Sequence, residues 1–81
     1  MPRVPTVLRY RGYRIFFSSM DRGEPPHVHA ETKDGHAKFW MAPLACAHSR
    51  NFRDHELAEI RTVLQANAGL ILEKWNEHFR H

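Results

Sequence analysis

The chain has 81 residues, with 12 Lys and Arg against 9 Asp and Glu, a formal charge of +3 when the seven histidines are neutral. This length supports a single domain, residues 1–81, with a small core. The one cysteine excludes an intramolecular disulfide and favours a reducing compartment. No window approaches the roughly 18 apolar residues of a membrane span, and the first residues lack the apolar region of a signal peptide. We therefore expect a cytoplasmic protein with no membrane partner, whose mild basic charge is compatible with RNA or DNA.

Two stretches near the N-terminus, 6–10 and 13–18, are rich in β-branched and aromatic residues and predict two strands. Arg11-Gly12 between them predicts a tight turn, because glycine accepts a positive φ. This turn pairs Tyr10 with Tyr13, Arg9 with Arg14, Leu8 with Ile15 and Thr6 with Phe17. Two arginines opposite each other cost stability. Either the register differs there, or the sheet carries a basic patch at these arginines.

A second pair of strands is predicted over 27–32 and 36–41, joined by Asp34-Gly35, a strong type I′ turn signal. Counting from this turn pairs Lys33 with His36, Glu31 with Lys38, His29 with Trp40 and His27 with Ala42. The alternate residues are apolar apart from one threonine and form the predicted core face. The other, uncovered face is predicted to hold His27, His29, Glu31, Lys38 and Trp40.

The stretch 42–50 is predicted to be irregular, and helical periodicity begins after it. Two apolar stripes recur at helical spacing: Leu57, Ile60 and Leu64, then Leu72, Trp75 and Phe79. We predict two short helices over about 53–79, or one helix with a kink near Gly69. The predicted fold class is α+β, with an antiparallel sheet of about four strands (two hairpins) over 6–41 and two C-terminal helices packed on one face.

Two prolines followed by two histidines, Pro25-Pro26-His27-Val28-His29, form the most concentrated polar motif of the chain. The prolines favour extended backbone, and Val28 favours a strand. On a strand the two imidazoles project from one face, about 6 to 7 Å apart at the backbone. Such a pair suits a phosphate, a metal ion or a partner, and by itself it names no reaction.

Several segments together resemble a known family: PTVLR (5–9), GYRIFF (12–17), EPPHVHA (24–30), AKFW (37–40) and EKWNEHF (73–79). With these, the chain resembles the small bacterial proteins called domain of unknown function 4160. The family has no agreed activity. Its members are short cytoplasmic proteins, often encoded beside a second small gene in the manner of toxin and antitoxin pairs. The resemblance therefore implies a cognate small protein from an adjacent gene, without telling which partner of the pair this chain is.

The leading hypothesis is a protein that binds or acts on nucleic acid through the histidine-rich sheet face, without a metal or other cofactor. As a metal-independent ribonuclease it would need an acid, a base and cations around the phosphate. The candidates for catalysis are His27, His29, Glu31 and Lys38, and those for nucleic-acid binding are Arg9, Arg14 and Trp40. The simpler interpretation is an ordinary ion pair between Glu31 and Lys38 and an ordinary contact between His29 and Trp40.

A metal site is one alternative, with His27 and His29 as two ligands on one strand. A third ligand is then required, because Glu31 lies about 13 Å from His27 along the strand. Only His36, Cys46 or His48, folded back, could supply it.

A protein-binding module without catalysis is the other alternative. Phe16, Trp40 or part of the helical stripe would be buried against another chain, either the cognate protein or a second copy in a homodimer. The chain would then be an antitoxin or a partner-binding subunit.

Overall fold

The computed structural model describes residues 6–17 and 23–79. Its elements in chain order are β1 (Thr6–Tyr10), β2 (Tyr13–Phe16), β3 (His27–Glu31), β4 (His36–Met41), β5 (Leu44–Arg50), α1 (Asp54–Ala66) and α2 (Ala68–His78). The strands form one antiparallel sheet in the order β1-β2-β3-β4-β5. The α+β class is confirmed, with five strands instead of about four. The predicted end of the second strand at Ser18 lies outside the described residues.

The first hairpin forms as predicted over most of its length. Arg11 (φ 46°) and Gly12 (φ 85°) both have positive φ, which is the pattern of a type I′ turn. The pairs Tyr10 with Tyr13, Arg9 with Arg14 and Leu8 with Ile15 are confirmed. A bulge between Thr6 and Leu8 adds one residue to β1, so Thr6 lies opposite Phe16 and not opposite Phe17.

The predicted register of the second hairpin is wrong by two residues. The observed pairs are His27 with Trp40, Val28 with Phe39, His29 with Lys38, Ala30 with Ala37 and Glu31 with His36. Neither Asp34 nor Gly35 has positive φ, so the turn is not type I′. Instead the Thr32 N–H donates to the Gly35 carbonyl oxygen, and the Gly35 N–H donates to Thr32 Oγ1, both over 3.0 Å. A shift of two residues keeps every side chain on its predicted face.

A fifth strand replaces the irregular stretch predicted over 42–50. β5 pairs with β4 from Leu44 opposite Met41 to Arg50 opposite His36, with a bulge between the pairs of Lys38 with His48 and Phe39 with Cys46. It lies at the edge of the sheet and is mostly exposed, and its small residues show no alternation of apolar and polar side chains. The period-two signal on which strand prediction depends was therefore missing.

The helices pack on one face of the sheet, as predicted. The core there contains Ile15, Phe17, Val28, Ala30, Phe39, Ile60, Leu64, Ile71 and Trp75, all buried. α1 begins after Arg53, whose N–H donates to Glu56 Oε1 over 2.7 Å. The helices are separate and meet at Asn67, whose side-chain nitrogen donates to the Val63 carbonyl oxygen over 2.8 Å. The opposite face of the sheet, here called the open face, carries the candidate site.

Candidate functional site

Four aromatic side chains, one from each of β2 to β5, form a continuous row across the open face: Phe16, His29, His36 and His48. The ring centroids of Phe16 and His29 are 5.2 Å apart, with the planes inclined by 26°. His29 and His36 follow at 5.4 Å and 31°, and His36 and His48 at 5.9 Å and 29°. The first and third of these pairs are stacked, and the pair of His29 with His36 is tilted. We call these four residues the ring row.

Arg14 closes the ring row at its β2 end. Its guanidinium carbon lies 4.5 Å from the centroid of the Phe16 ring, a cation–π contact. Nη1 donates to Glu31 Oε1 over 2.9 Å, and Nε donates to Thr6 Oγ1 over 2.9 Å. The predicted arginine pair across the first hairpin does form, with Arg9 exposed beside it. Glu31 and Thr6 offset the repulsion between the two guanidinium groups.

Lys38 and Trp40 lie side by side on β4. Lys38 Nζ donates to Glu24 Oε1 over 2.9 Å and lies 4.4 Å from the centroid of the Trp40 ring. The predicted ion pair between Glu31 and Lys38 is therefore wrong, because the observed register puts His36 opposite Glu31. The predicted cross-strand pairing of His29 with Trp40 is wrong for the same reason.

His27 is buried, with 0 % of its surface exposed, so its predicted place on an uncovered surface is wrong. The ring centroids of His29, Trp40 and Trp75 lie 5.2, 5.4 and 5.2 Å from that of His27. Nδ1 is 3.0 Å from the Pro25 carbonyl oxygen, which can only accept, so Nδ1 carries the proton of this contact. Alternation does put His27 on the face of His29, but Trp75 of α2 packs against its ring.

The prolines before His27 also hold the start of β3 in place. The Pro26 carbonyl oxygen accepts a hydrogen bond from the Met41 N–H over 3.0 Å. The Glu24 carboxylate reaches Lys38 on β4 and lies 3.9 Å from His27 Nδ1. Pro26 and the preceding Glu24 thus join the start of β3 to β4, next to the buried ring of His27.

The charge environment of the ring row is basic at its β5 end. Burial lowers the pKa of His36, and the nearby His48 and Arg50 lower it further. The nearby Glu31 carboxylate raises the pKa of His36 and offsets part of this lowering. The His36 imidazole is therefore neutral at neutral pH, because burial and the neighbouring basic groups disfavour its charged form.

A family model described as Domain of unknown function (DUF4160) matches residues 12–76, from β2 through most of α2. The chain belongs to this family. The DUF4160 match spans four strands and both helices, including all four residues of the ring row. No curated protein and no solved structure matches the chain. Neither helix in residues 54–78 is long and apolar enough to cross a membrane.

In this DUF4160 member, the open face brings together five of the residues predicted from the sequence: Arg14, His29, Glu31, Lys38 and Trp40. Arg9 lies at the β1 side of the same face, and His27 is enclosed. Sequence reasoning missed the contribution of His36, His48 and Arg50. Alternation with Lys38 could have assigned a role to His36, whereas the other two depend on β5, which was not predicted.

No group of three or more His, Cys, Asp or Glu side chains within residues 6–17 and 23–79 is arranged to hold a metal ion. The histidines of the ring row stack on one another in series. The Cys46 thiol contacts the main-chain oxygen of His48 at 3.5 Å. Nothing in this part of the chain assembles the third ligand that a zinc site on His27 and His29 would need.

Proposed function

We propose that this protein binds single-stranded nucleic acid on its open face. The observation that carries the proposal is the ring row, which presents Phe16 and three imidazoles across four adjacent strands. Aromatic side chains stack on unpaired bases, and each such contact contributes about 1–3 kcal/mol with little sequence preference. Nucleic-acid modules built on antiparallel sheets use this arrangement to stack two or three bases.

Cations around the row support the proposal. Arg14, Lys38 and Arg50 lie on the same face as the rings, and the whole chain carries a formal charge of +3. A phosphate backbone that follows the row would therefore meet basic side chains on β2, β4 and β5, of which Arg14 and Lys38 are each paired with a carboxylate. Trp40 offers a further ring beside Lys38.

The geometry supports binding better than cleavage by the two motif histidines. General acid and base groups must come within hydrogen-bond reach of the oxygens between which they move protons. The His27 ring is fully buried and lies between the rings of His29, Trp40 and Trp75. We therefore propose that His29 contacts bases as part of the ring row, and that the buried His27 packs against the His29 ring and holds it in place.

The cellular setting of this binding is proposed from the family resemblance alone. We place the protein in the cytoplasm, as one member of a toxin–antitoxin-like pair with a cognate small protein. Binding of that cognate protein on the same open face is the alternative function, and it would be favoured if nucleic acid does not bind.

The test is fluorescence anisotropy with labelled uridine and thymidine oligomers of about 12 nucleotides. The wild type should bind in the micromolar range at low salt, and His29→Ala should weaken binding about fivefold or more, because one stacking ring is removed. His55→Ala is the matched control, since His55 is exposed on α1 away from the open face. A folded wild type that binds neither oligomer would overturn the proposal.

A further inference from the structure

Three basic side chains meet where the ring row reaches the edge of the sheet: His36, His48 and Arg50. We infer that these three residues, here called the basic corner, bind a phosphate group. For its natural ligand, a phosphate of the nucleic-acid backbone, this inference rests on the proposed function. Free phosphate compounds offer the same chemistry, and the experiment below separates the two sources.

The register of β4 and β5 builds the basic corner. Arg50 is the pairing partner of His36, and His48 is the pairing partner of Lys38, the next residue of β4 on the same face. The imidazoles of His36 and His48 stack at 5.9 Å. Two imidazoles and a guanidinium therefore lie together at one edge of the sheet, and each can donate hydrogen bonds to a phosphate oxygen.

The distribution of ion pairs distinguishes this corner from the rest of the open face. Arg14 is paired with Glu31 and Lys38 with Glu24, each at 2.9 Å. Within residues 6–17 and 23–79, neither Arg50 nor the two imidazoles of the corner form an ion pair. A phosphate that bound at Arg14 or Lys38 would have to compete with a carboxylate. At the basic corner, a phosphate meets the guanidinium of Arg50, whose charge is not already neutralised by an ion pair.

Protonation couples phosphate binding to pH. The groups that face His36 are Glu31 and His29 from β3 and His48 and Arg50 from β5, with Lys38 on its own strand. In the free protein, burial and then His48 and Arg50 lower the pKa of His36, so its imidazole is neutral at neutral pH. A bound phosphate adds negative charge beside His36 and stabilises its imidazolium form. Binding should therefore take up protons and strengthen as the pH falls.

The first arm of the test uses inorganic pyrophosphate and the histidine C2–H signals in proton NMR. Pyrophosphate should shift the signals of His36 and His48, and should bind about fivefold or more tightly at about pH 5.5 than at about pH 8. Arg50→Gln should weaken binding about fivefold or more, because the charge-assisted hydrogen bonds of the guanidinium are removed. Lys74→Gln, which removes the charge of an exposed side chain on α2, is the control and should have no effect on binding. Unshifted histidine signals, or equal effects of the two variants, would overturn the inference.

The second arm uses the single-stranded oligomers and separates this inference from the proposed function. Arg50→Gln should make the salt dependence of binding shallower, by about 0.7 in the slope of log K against log salt, because one phosphate is no longer neutralised. If oligomers bind and Arg50→Gln leaves the slope unchanged, the inferred phosphate site at the basic corner is wrong and the proposed function stands. If pyrophosphate binds at the corner and oligomers do not, the proposed function is wrong and the corner serves a free phosphate compound.

Discussion

The imidazole of His27 has no exposed surface and contacts the rings of Trp40 and Trp75. Its removal would leave a cavity next to both tryptophans. We predict that His27→Ala lowers the free energy of unfolding by about 2–4 kcal/mol. Urea unfolding followed by circular dichroism measures this change. The free energy of unfolding of His55→Ala, at an exposed position of α1, should stay within about 0.5 kcal/mol of the wild type. Equal stability of the two variants would show that the His27 ring does not support the fold.

His36 makes stability depend on pH in a defined direction. Its pKa is lowered in the folded protein, first by burial and then by His48 and Arg50. At pH values just below the ordinary histidine pKa of about 6.5, the unfolded chain therefore binds more protons at this residue than the folded chain does. This contribution destabilises the protein as the pH falls through that value, and it levels off below the lower folded pKa.

We predict that His36→Gln reduces the loss of stability between about pH 7.5 and about pH 5.5. The comparison is the midpoint of urea unfolding at the two pH values, for wild type and variant. Because the other histidines are the same in both proteins, the difference between the two proteins isolates the contribution of His36. An identical pH dependence in both would contradict the assigned charge environment.

At the scale of elements, the turn between β3 and β4 depends on the space at Gly35. A Cβ atom built there would lie 2.6 to 2.9 Å from three carbons of the Phe52 ring. At Gly69, inside α2, an added Cβ has no neighbour within 4 Å. Phe52 precedes α1 and packs against the core, so its ring cannot move away without disturbing that packing.

We predict opposite outcomes for the same substitution at these two glycines. Gly35→Ala should destabilise the protein by about 1–3 kcal/mol through overpacking. Gly69→Ala should stabilise it by about 0.5–1 kcal/mol, because alanine loses less backbone entropy in a helix. Thermal unfolding of the two variants beside the wild type measures both changes. Stabilisation by Gly35→Ala would contradict the packing described for Phe52.

The elements that could be predicted are those whose signal is local. Arg11-Gly12 could be used to predict the register of the first hairpin, because a two-residue turn with positive φ pairs the residues on either side of it, Tyr10 and Tyr13. The same reasoning failed at Asp34-Gly35, where glycine meets a packing requirement from Phe52, distant in sequence. The faces of β3 and β4 were still assigned correctly, because the error was an even number of residues.

The candidate site could be predicted in part for similar reasons. Alternation placed His29, Lys38 and Trp40 on one face. The burial of His27 depends on Trp75 of α2, a contact between elements that no local pattern contains. His48 belongs to an edge strand of small residues without alternation, so the ring row could not be completed from the sequence.

At the scale of the whole molecule, the proposed function is binding without cleavage by His27 and His29. We predict that purified protein leaves total RNA intact after prolonged incubation, because the buried His27 cannot reach a ribose hydroxyl. Gel electrophoresis of the RNA checks this outcome, with His29→Ala treated in parallel. Degradation by the wild type that His29→Ala abolishes would instead establish a ribonuclease at the open face.

Contact between the ring row and unpaired bases is the interaction on which the proposed binding depends. Bases inside a duplex are not available to the row, whereas the charge of a duplex backbone is at least as high as that of a single strand. The most direct measurement is therefore the affinity for one labelled strand, alone and after annealing to its complement, with wild type and His29→Ala. We expect the wild type to prefer the single strand about tenfold or more, and His29→Ala to reduce this preference. Equal binding of the single strand and the duplex, unchanged by His29→Ala, would contradict this expectation.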